Sequence, residues 1–133
     1  MAHRYLLDTS ILSQLLREPG GQVAARIGAV GERTVCTSII VAAELRYGAM
    51  KSGSAALTER VGLVLSALDV LPLEPPADRH YGEIRHHLAS TGVPIGPNDL
   101  LIAAQALAGD LTLVTANLRE FARVPSLRVE KWV

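Results

Sequence analysis

Three acidic residues interrupt apolar stretches at widely separated points of the chain. Asp8 ends the apolar part of "RYLLDTSIL", Glu44 lies within "SIIVAAELRYGAM", and Asp99 follows "IGPN". An ionised carboxylate in apolar surroundings is costly unless a positive group pairs with it. Carboxylates without His or Cys are typical ligands of hard ions such as Mg²⁺ or Mn²⁺. Such ions bind phosphate oxygens and activate water, so the three acids together predict a divalent-cation site that can act on a phosphodiester.

Each acid also has a purely structural explanation. Asp8, Thr9 or Ser10 could cap the next helix, since short polar side chains accept hydrogen bonds from unpaired backbone N–H groups. Asp99 would lie in a first helical turn, where the helix dipole favours an anion. Glu44 could pair with a distant Arg, because its helical neighbours three and four residues away are uncharged and mostly apolar. For Asp8 alone we favour the cap, but a shared cation explains all three acids more simply.

The acids need a fold that brings them together, and the chain is predicted to alternate strands with helices. The predicted strands cover residues 5–8, 34–37, 69–73, 111–115 and 128–132, and the predicted helices cover 10–17, 22–30, 38–50, 55–68, 76–90 and 98–108. The strands are apolar throughout rather than alternating, which is typical of a parallel sheet covered by helices on both faces. The expected fold class is therefore α/β with a mostly parallel central sheet, and 133 residues suit a single domain over 1–133.

Several polar residues stand where the predicted strands end. Asp8 ends the first strand, Ser38 follows the second, and Thr115 ends the strand "LTLVT", with Asn117 and Glu120 just beyond it. Open α/β sheets bind ligands at the carboxyl ends of their strands. If the strands are parallel, these side chains are expected to lie along one edge of the sheet.

Composition narrows the possible partners and location. Lys+Arg and Asp+Glu number 13 each, so the formal net charge is zero and a broadly basic nucleic-acid surface is not expected. Any contact with nucleic acid must come from a local patch. The single Cys36 cannot form an internal disulfide. No apolar run approaches ~18 residues and no cationic leader is evident, so we expect a cytoplasmic protein without a membrane segment.

Four segments resemble, in order and spacing, the motifs of the PIN-domain family, most closely its VapC-type toxins. They are "YLLDTSIL", "TSIIVAAELRYGA", "IGPNDLLIAAQAL" and "LTLVTANLREFARVPSLRVEKW", which together extend from residue 5 to residue 132. The resemblance implies a three-layer α/β/α PIN fold and a Mg²⁺-dependent ribonuclease, with Mn²⁺ as a plausible substitute. It further implies a toxin paired with a VapB-type antitoxin, a tRNA or rRNA substrate, and contact with operator DNA only through the antitoxin.

The resemblance also implies roles for individual residues. It carries the family's first-strand Asp onto Asp8, its helix Glu onto Glu44 and its "ND" Asp onto Asp99. Many PIN domains have an Asp shortly after the Thr of the fourth strand. This chain has Asn117 and Glu120 in that region, and we expect Glu120 to be the fourth acid because an amide binds a divalent ion less strongly than a carboxylate. Orienting roles are expected for Thr9, Ser38, Thr115 and Asn117.

Two other classes of function compete with a ribonuclease. A phospho-receiver-like module would also bind Mg²⁺ at strand ends, but it would need a Lys after a late strand, and Lys51 and Lys131 are not placed there. A catalytically inactive PIN-like interaction module is the main alternative, and the intact Asp8, Glu44 and Asp99 argue against it.

A symmetric homodimer is also expected from the sequence. The predicted helices at 38–50 and 55–68 carry more apolar surface than one face of a small sheet can cover. A two-fold pair would bury that surface.

Overall fold

The computed structural model describes residues 2–133 and contains one sheet of five parallel strands. The strands are β1 (Tyr5–Leu7), β2 (Val35–Ser38), β3 (Asp69–Leu71), β4 (Thr112–Val114) and β5 (Val129–Glu130). Their order across the sheet is β3-β2-β1-β4-β5, and every neighbouring pair is parallel. The predicted α/β class is confirmed, and the sheet is parallel throughout rather than mostly parallel.

Seven α-helices connect or follow these strands in the described part of the chain. They are α1 (Thr9–Arg17), α2 (Gln22–Val30), α3 (Ile39–Ser52), α4 (Ala55–Ala67), α5 (Ala77–Ser90), α6 (Pro97–Ala108) and α7 (Leu118–Phe121). The six helices predicted from the sequence are all present, with ends within two residues of those expected. Helix α7 was not predicted, because four residues are too few to show a helical period.

The strand order reverses beside β1. The chain moves from β1 to β2 and β3 on one side of the sheet, then returns to β4 and β5 on the other side. Because crossovers between parallel strands are almost always right-handed, this reversal puts the helices of the two halves on opposite faces of the sheet. A crevice is expected outside the carboxyl ends of β1 and β4, where the connections leave in opposite directions.

Short polar residues and glycines set the bounds of the helices around this crevice. The Ser38 hydroxyl accepts a hydrogen bond from the Ile40 N–H at 3.0 Å and so starts α3 at the end of β2. Helix α3 ends at Gly53, whose φ of 69° lies in the left-handed region that glycine adopts without strain. Pro97 occupies the first turn of α6, where its missing N–H is not needed.

Large apolar side chains remain exposed on α3 and α4. Tyr47 is 67% exposed and Met50 75% exposed on α3, and Leu63 is 62% exposed on α4. This agrees with the excess of apolar surface expected from the sequence, while the dimer itself stays a prediction. Within residues 2–133, no helix is both long and apolar enough to cross a membrane.

Candidate active site

Polar residues follow β1 and β4 at the crevice. Asp8 comes directly after β1 and Thr115 directly after β4. The Asp8 N–H donates to the Val114 carbonyl oxygen at 3.1 Å, so the two strand ends are joined. The sequence predicted these residues at one edge of the sheet, and the structure brings them together there.

Asp8 is buried and caps α1. Its Oδ1 accepts hydrogen bonds from the Ile11 N–H at 3.0 Å and from the Ser10 hydroxyl at 2.6 Å. The capping explanation for Asp8 is therefore correct. Burial raises the pKa of Asp8, and hydrogen bonds from Ser10, Thr115 and the backbone oppose that rise. The cap occupies one carboxylate oxygen and fixes the direction of the side chain, which leaves a metal-binding role open.

Glu44 reaches the same crevice from the middle of α3. Its Oε1 accepts a hydrogen bond from the Thr9 hydroxyl at 2.5 Å, and its Oε2 accepts one from the Asn98 side-chain amide at 3.3 Å. Both partners are neutral. The neighbours of Glu44 on its face of α3 are uncharged, as the sequence indicated, and among them Val41 is buried and Tyr47 is exposed. The suggested ion pair with a distant Arg is not found among the ion pairs of residues 2–133.

Asp99 lies in the first turn of α6 and responds to the other acids. Its pKa is raised to about 7. Burial is the largest cause, followed by a hydrogen bond with Glu120 and then by the negative charges of Glu120, Glu44 and Asp8. Asp99 is therefore the position at which the charges of the other three acids are felt together. The N-terminal dipole of α6 favours an anion here but does not offset the burial and the neighbouring charges.

Glu120 enters the site from α7. Its Oε1 accepts a hydrogen bond from the Gly96 N–H at 3.2 Å, and its Oε2 accepts one from the Asn117 side-chain amide at 2.5 Å. The Asn117 N–H in turn donates to the Thr115 hydroxyl at 2.9 Å. Of the two candidates for the fourth position, Glu120 lies beside Asp99, whereas the Asn117 amide is directed at Glu120. This arrangement favours Glu120 as the fourth acid and Asn117 as the residue that orients it.

Two other polar residues act near the site through helix capping or through a contact with Glu44. Ser38 caps α3 with its hydroxyl, as the sequence predicted for the start of this helix, but the hydroxyl does not orient the acids directly as was also expected. Asn98 was not singled out, although it binds the Glu44 carboxylate. The signal available in the sequence was an amide directly before Asp99 at the start of an apolar helix.

The donor set of the four acids suits a hard divalent cation. None of the ion pairs found among residues 2–133 involves Asp8, Glu44, Asp99 or Glu120. As the side chains stand, no three His, Cys, Asp or Glu residues in that range are grouped closely enough to hold one ion. Both glutamates are held by neutral hydrogen-bond donors instead. The carboxylate oxygens of the four acids are nevertheless the kind of ligand that Mg²⁺ or Mn²⁺ prefers.

Comparisons with known proteins give consistent matches over nearly the whole chain. A family model described as PIN domain matches residues 5–127. The chain is 39% identical over 134 residues to Ribonuclease VapC2 of Haemophilus influenzae, with 98% of each protein covered. It is 37% identical over 132 residues to the tRNA(fMet)-specific endonuclease VapC of Salmonella typhimurium, covering 97% of this chain and 98% of the relative. The crystal structure of VapBC2 from Rickettsia felis bound to a promoter DNA fragment has a TM-score of 0.90 to this chain and 34% sequence identity. The match covers 97% of this chain and 98% of that one.

Proposed function

Because the chain belongs to the PIN-domain family and to its VapC ribonuclease group, we propose that it is a toxin that cleaves RNA internally with a divalent cation held by Asp8, Glu44, Asp99 and Glu120. Mg²⁺ is the proposed ion, and Mn²⁺ is expected to substitute for it. The observation that carries the proposal is that the loop before α6 and its first turn meet both glutamates: Asn98 donates to Glu44 at 3.3 Å, and Gly96 donates to Glu120 at 3.2 Å. Burial and the neighbouring acids also raise the pKa of Asp99, to about 7. The proposed unit is a single PIN domain over residues 1–133.

The residues around the acids would prepare the site for catalysis. When bound, the cation would neutralise charge on the scissile phosphate and lower the pKa of a bound water that serves as the nucleophile. Thr9 and Asn98 hold one oxygen of Glu44 each, so the direction of that side chain is set before substrate arrives. Asn117 does the same for Glu120. Such neighbours typically contribute about 10- to 100-fold in metal affinity or activity.

We propose tRNA as the substrate class, with rRNA as the second candidate. A relative named as a tRNA(fMet)-specific endonuclease matches this chain over nearly its full length. The zero net charge argues against strong binding to any RNA regardless of sequence or shape. Recognition of a folded RNA by its shape and one exposed loop fits these properties better.

A cavity of about 500 Å³ beside Glu44 offers a place for an inhibitory partner. It lies between α1, α3 and α4, and its walls include Leu16, Leu45, Leu57 and Val61. We propose that a VapB-type antitoxin lays an apolar segment there and directs an Arg toward the acids, since guanidinium groups form paired hydrogen bonds with carboxylates. The solved Rickettsia felis structure is VapBC2 bound to a DNA fragment from its promoter. For this neutral chain we propose contact with operator DNA through the antitoxin alone.

The exposed apolar side chains of α3 and α4 support a symmetric homodimer. Tyr47, Met50 and Leu63 are each more than half exposed. A second copy of the chain related by a two-fold axis would cover the same patch on both molecules.

Expression of the chain alone is expected to stop bacterial growth, because internal cleavage of an essential RNA blocks translation. Co-expression of the small protein encoded beside it should restore growth. Growth curves measure this effect, and sequencing of RNA 5′ ends after induction identifies the cleaved RNA. The control is Asp99→Asn at equal expression level, which should be harmless. If the chain alone is harmless although it is folded and binds Mg²⁺, the inactive interaction module becomes the better account.

Glu120→Gln is expected to raise the Mg²⁺ concentration required for half-maximal cleavage by about 10-fold. The amide keeps the shape of the side chain but loses the charge that attracts the cation. Cleavage rates of a tRNA substrate across a Mg²⁺ titration measure this shift, with Glu59→Gln on the exposed surface of α4 as the matched control. An unchanged titration would remove Glu120 from the site and leave Asn117 as the remaining candidate for the fourth position.

A further inference from the structure

A groove beside the acids is not used by the proposed reaction. It lies between α5 and the loop that leads into α6, has a volume of about 330 Å³, and is lined by Tyr81, Arg85, Leu88, Pro94, Ile95 and Leu100, among others. Tyr81, Arg85 and Leu88 share one face of α5, since they are spaced four and three residues apart. The opposite wall comes from the loop and from the first turn of α6.

In the loop that leads into α6, a single residue, Gly96, lies between the groove and the acids. Ile95 and Pro97 line the groove, and Gly96 between them donates its N–H to Glu120. A side-chain carbon built on Gly96 would lie 3.6 Å from Asp99 Oδ2. One side of the loop therefore faces the groove and the other side faces two of the proposed ligands. RNA that places its scissile phosphate at the acids would bring a neighbouring nucleotide to the mouth of the groove.

The chemistry of the groove fits one nucleotide. Arg85 donates a hydrogen bond from Nη1 to the Tyr81 hydroxyl at 2.9 Å, and its guanidinium carbon lies 5.9 Å from the centroid of the Tyr81 ring. The remaining walls are aliphatic or proline side chains. An aromatic ring with an adjacent guanidinium can bind the face of a base and the phosphate attached to it. With one Trp, one Phe and three Tyr in the whole chain, an extended stacking surface is not available, so one base is the natural occupant.

We propose that this groove binds one unpaired base of the RNA substrate, next to the scissile phosphate, with Tyr81 against the base and Arg85 at its phosphate. This inference rests on the proposed RNA cleavage, and it names the part of the chain that selects the cleavage position. Arg85 is exposed, so it is free to meet a ligand from solvent.

Arg85→Gln is expected to raise KM for a tRNA stem-loop about 10-fold with little change in kcat. The matched control is Arg79→Gln, which removes the same charge from an exposed position of α5 outside the groove walls and should change KM by less than about 2-fold. Binding is measured separately by fluorescence anisotropy with protein that also carries Asp99→Asn, so that RNA is not consumed. In that assay Arg85→Gln should weaken binding by the same factor.

Abasic scanning of the stem-loop tests the base directly. Removing one base near the cleavage position should weaken RNA binding by the protein with an unaltered groove about 10-fold. The same abasic RNA should bind the Arg85→Gln and Tyr81→Ala proteins no more weakly than the intact RNA does. The proposal would be overturned if Arg85→Gln and Arg79→Gln changed KM equally, or if each abasic site weakened RNA binding equally in all proteins. It would also be overturned if Arg85→Gln dissociated a dimer while RNA affinity stayed unchanged. If the natural chain binds RNA without cleaving it, the proposed reaction fails while the groove is still tested by these affinities.

Discussion

Asp8→Asn and Asp99→Asn are each expected to lower RNA cleavage by at least about 1000-fold while the fold is kept. Each substitution removes a charged oxygen ligand and preserves the shape of the side chain. Loss of the Asp99 charge relieves repulsion from the other acids, so it should not weaken the folded state. At position 8 the amide oxygen can still accept the capping bond from the Ile11 N–H. Initial rates on a tRNA substrate at saturating Mg²⁺ measure the loss.

The control for these two variants is Asp78→Asn, which alters an exposed acid in the first turn of α5 and should leave the rate unchanged. Circular dichroism of all three proteins should match that of the natural chain. Full activity of Asp8→Asn or Asp99→Asn, with ordinary metal dependence, would remove that residue from the site. Glu44→Gln should behave like the aspartate variants. A lower melting temperature with unchanged activity per folded molecule would instead make Glu44 a structural residue.

The elements of the fold could be predicted because their signals are local. Apolar runs of strand length alternate with helical patterns, and Ser38, Gly53 and Pro97 mark helix ends with ordinary capping chemistry. The position of Asp8 followed from the same pattern, since a polar residue that ends a buried parallel strand must lie at the sheet edge. The strand order could not be derived this way, because pairing between β1 and β4 joins segments more than 100 residues apart.

The details of the site depend on contacts that no periodicity encodes. Asn98 meets Glu44 across 54 positions of sequence, and Glu120 meets Gly96 across 24. Glu120 also depends on α7, which is too short to show a pattern. The partners of Glu44 could not be predicted because apolar residues are spread around α3, and a helix of that kind does not reveal which side faces the core. The acids could be named from sequence, but the residues that hold them needed the structure.

The stability of the metal-free protein is expected to fall as pH rises. The pKa of Asp99 is raised from 3.8 to about 7 by burial, then by the Glu120 hydrogen bond, then by the charges of Glu120, Glu44 and Asp8. Between these pH values the folded protein holds a proton that the unfolded chain has released, so the free energy of unfolding decreases with pH in this window. Asp8 has a raised pKa as well and acts in the same direction. The melting temperature in EDTA should therefore be higher at about pH 5.5 than at about pH 8.

Mg²⁺ should reverse this trend, because it binds the ionised carboxylates and displaces the proton. At 100 times its dissociation constant a bound ion stabilises the folded state by about 2.7 kcal/mol, which corresponds to several degrees in a domain of this size. The rise should be larger at about pH 8 than at about pH 5.5. In the Asp99→Asn protein, the fall of the melting temperature with pH and its rise with Mg²⁺ should both be smaller. The Asp78→Asn protein should keep both effects at full size. If the pH dependence of Asp99→Asn equals that of the natural chain, Asp99 titrates as an ordinary surface acid and the four carboxylates do not act as one repelling cluster.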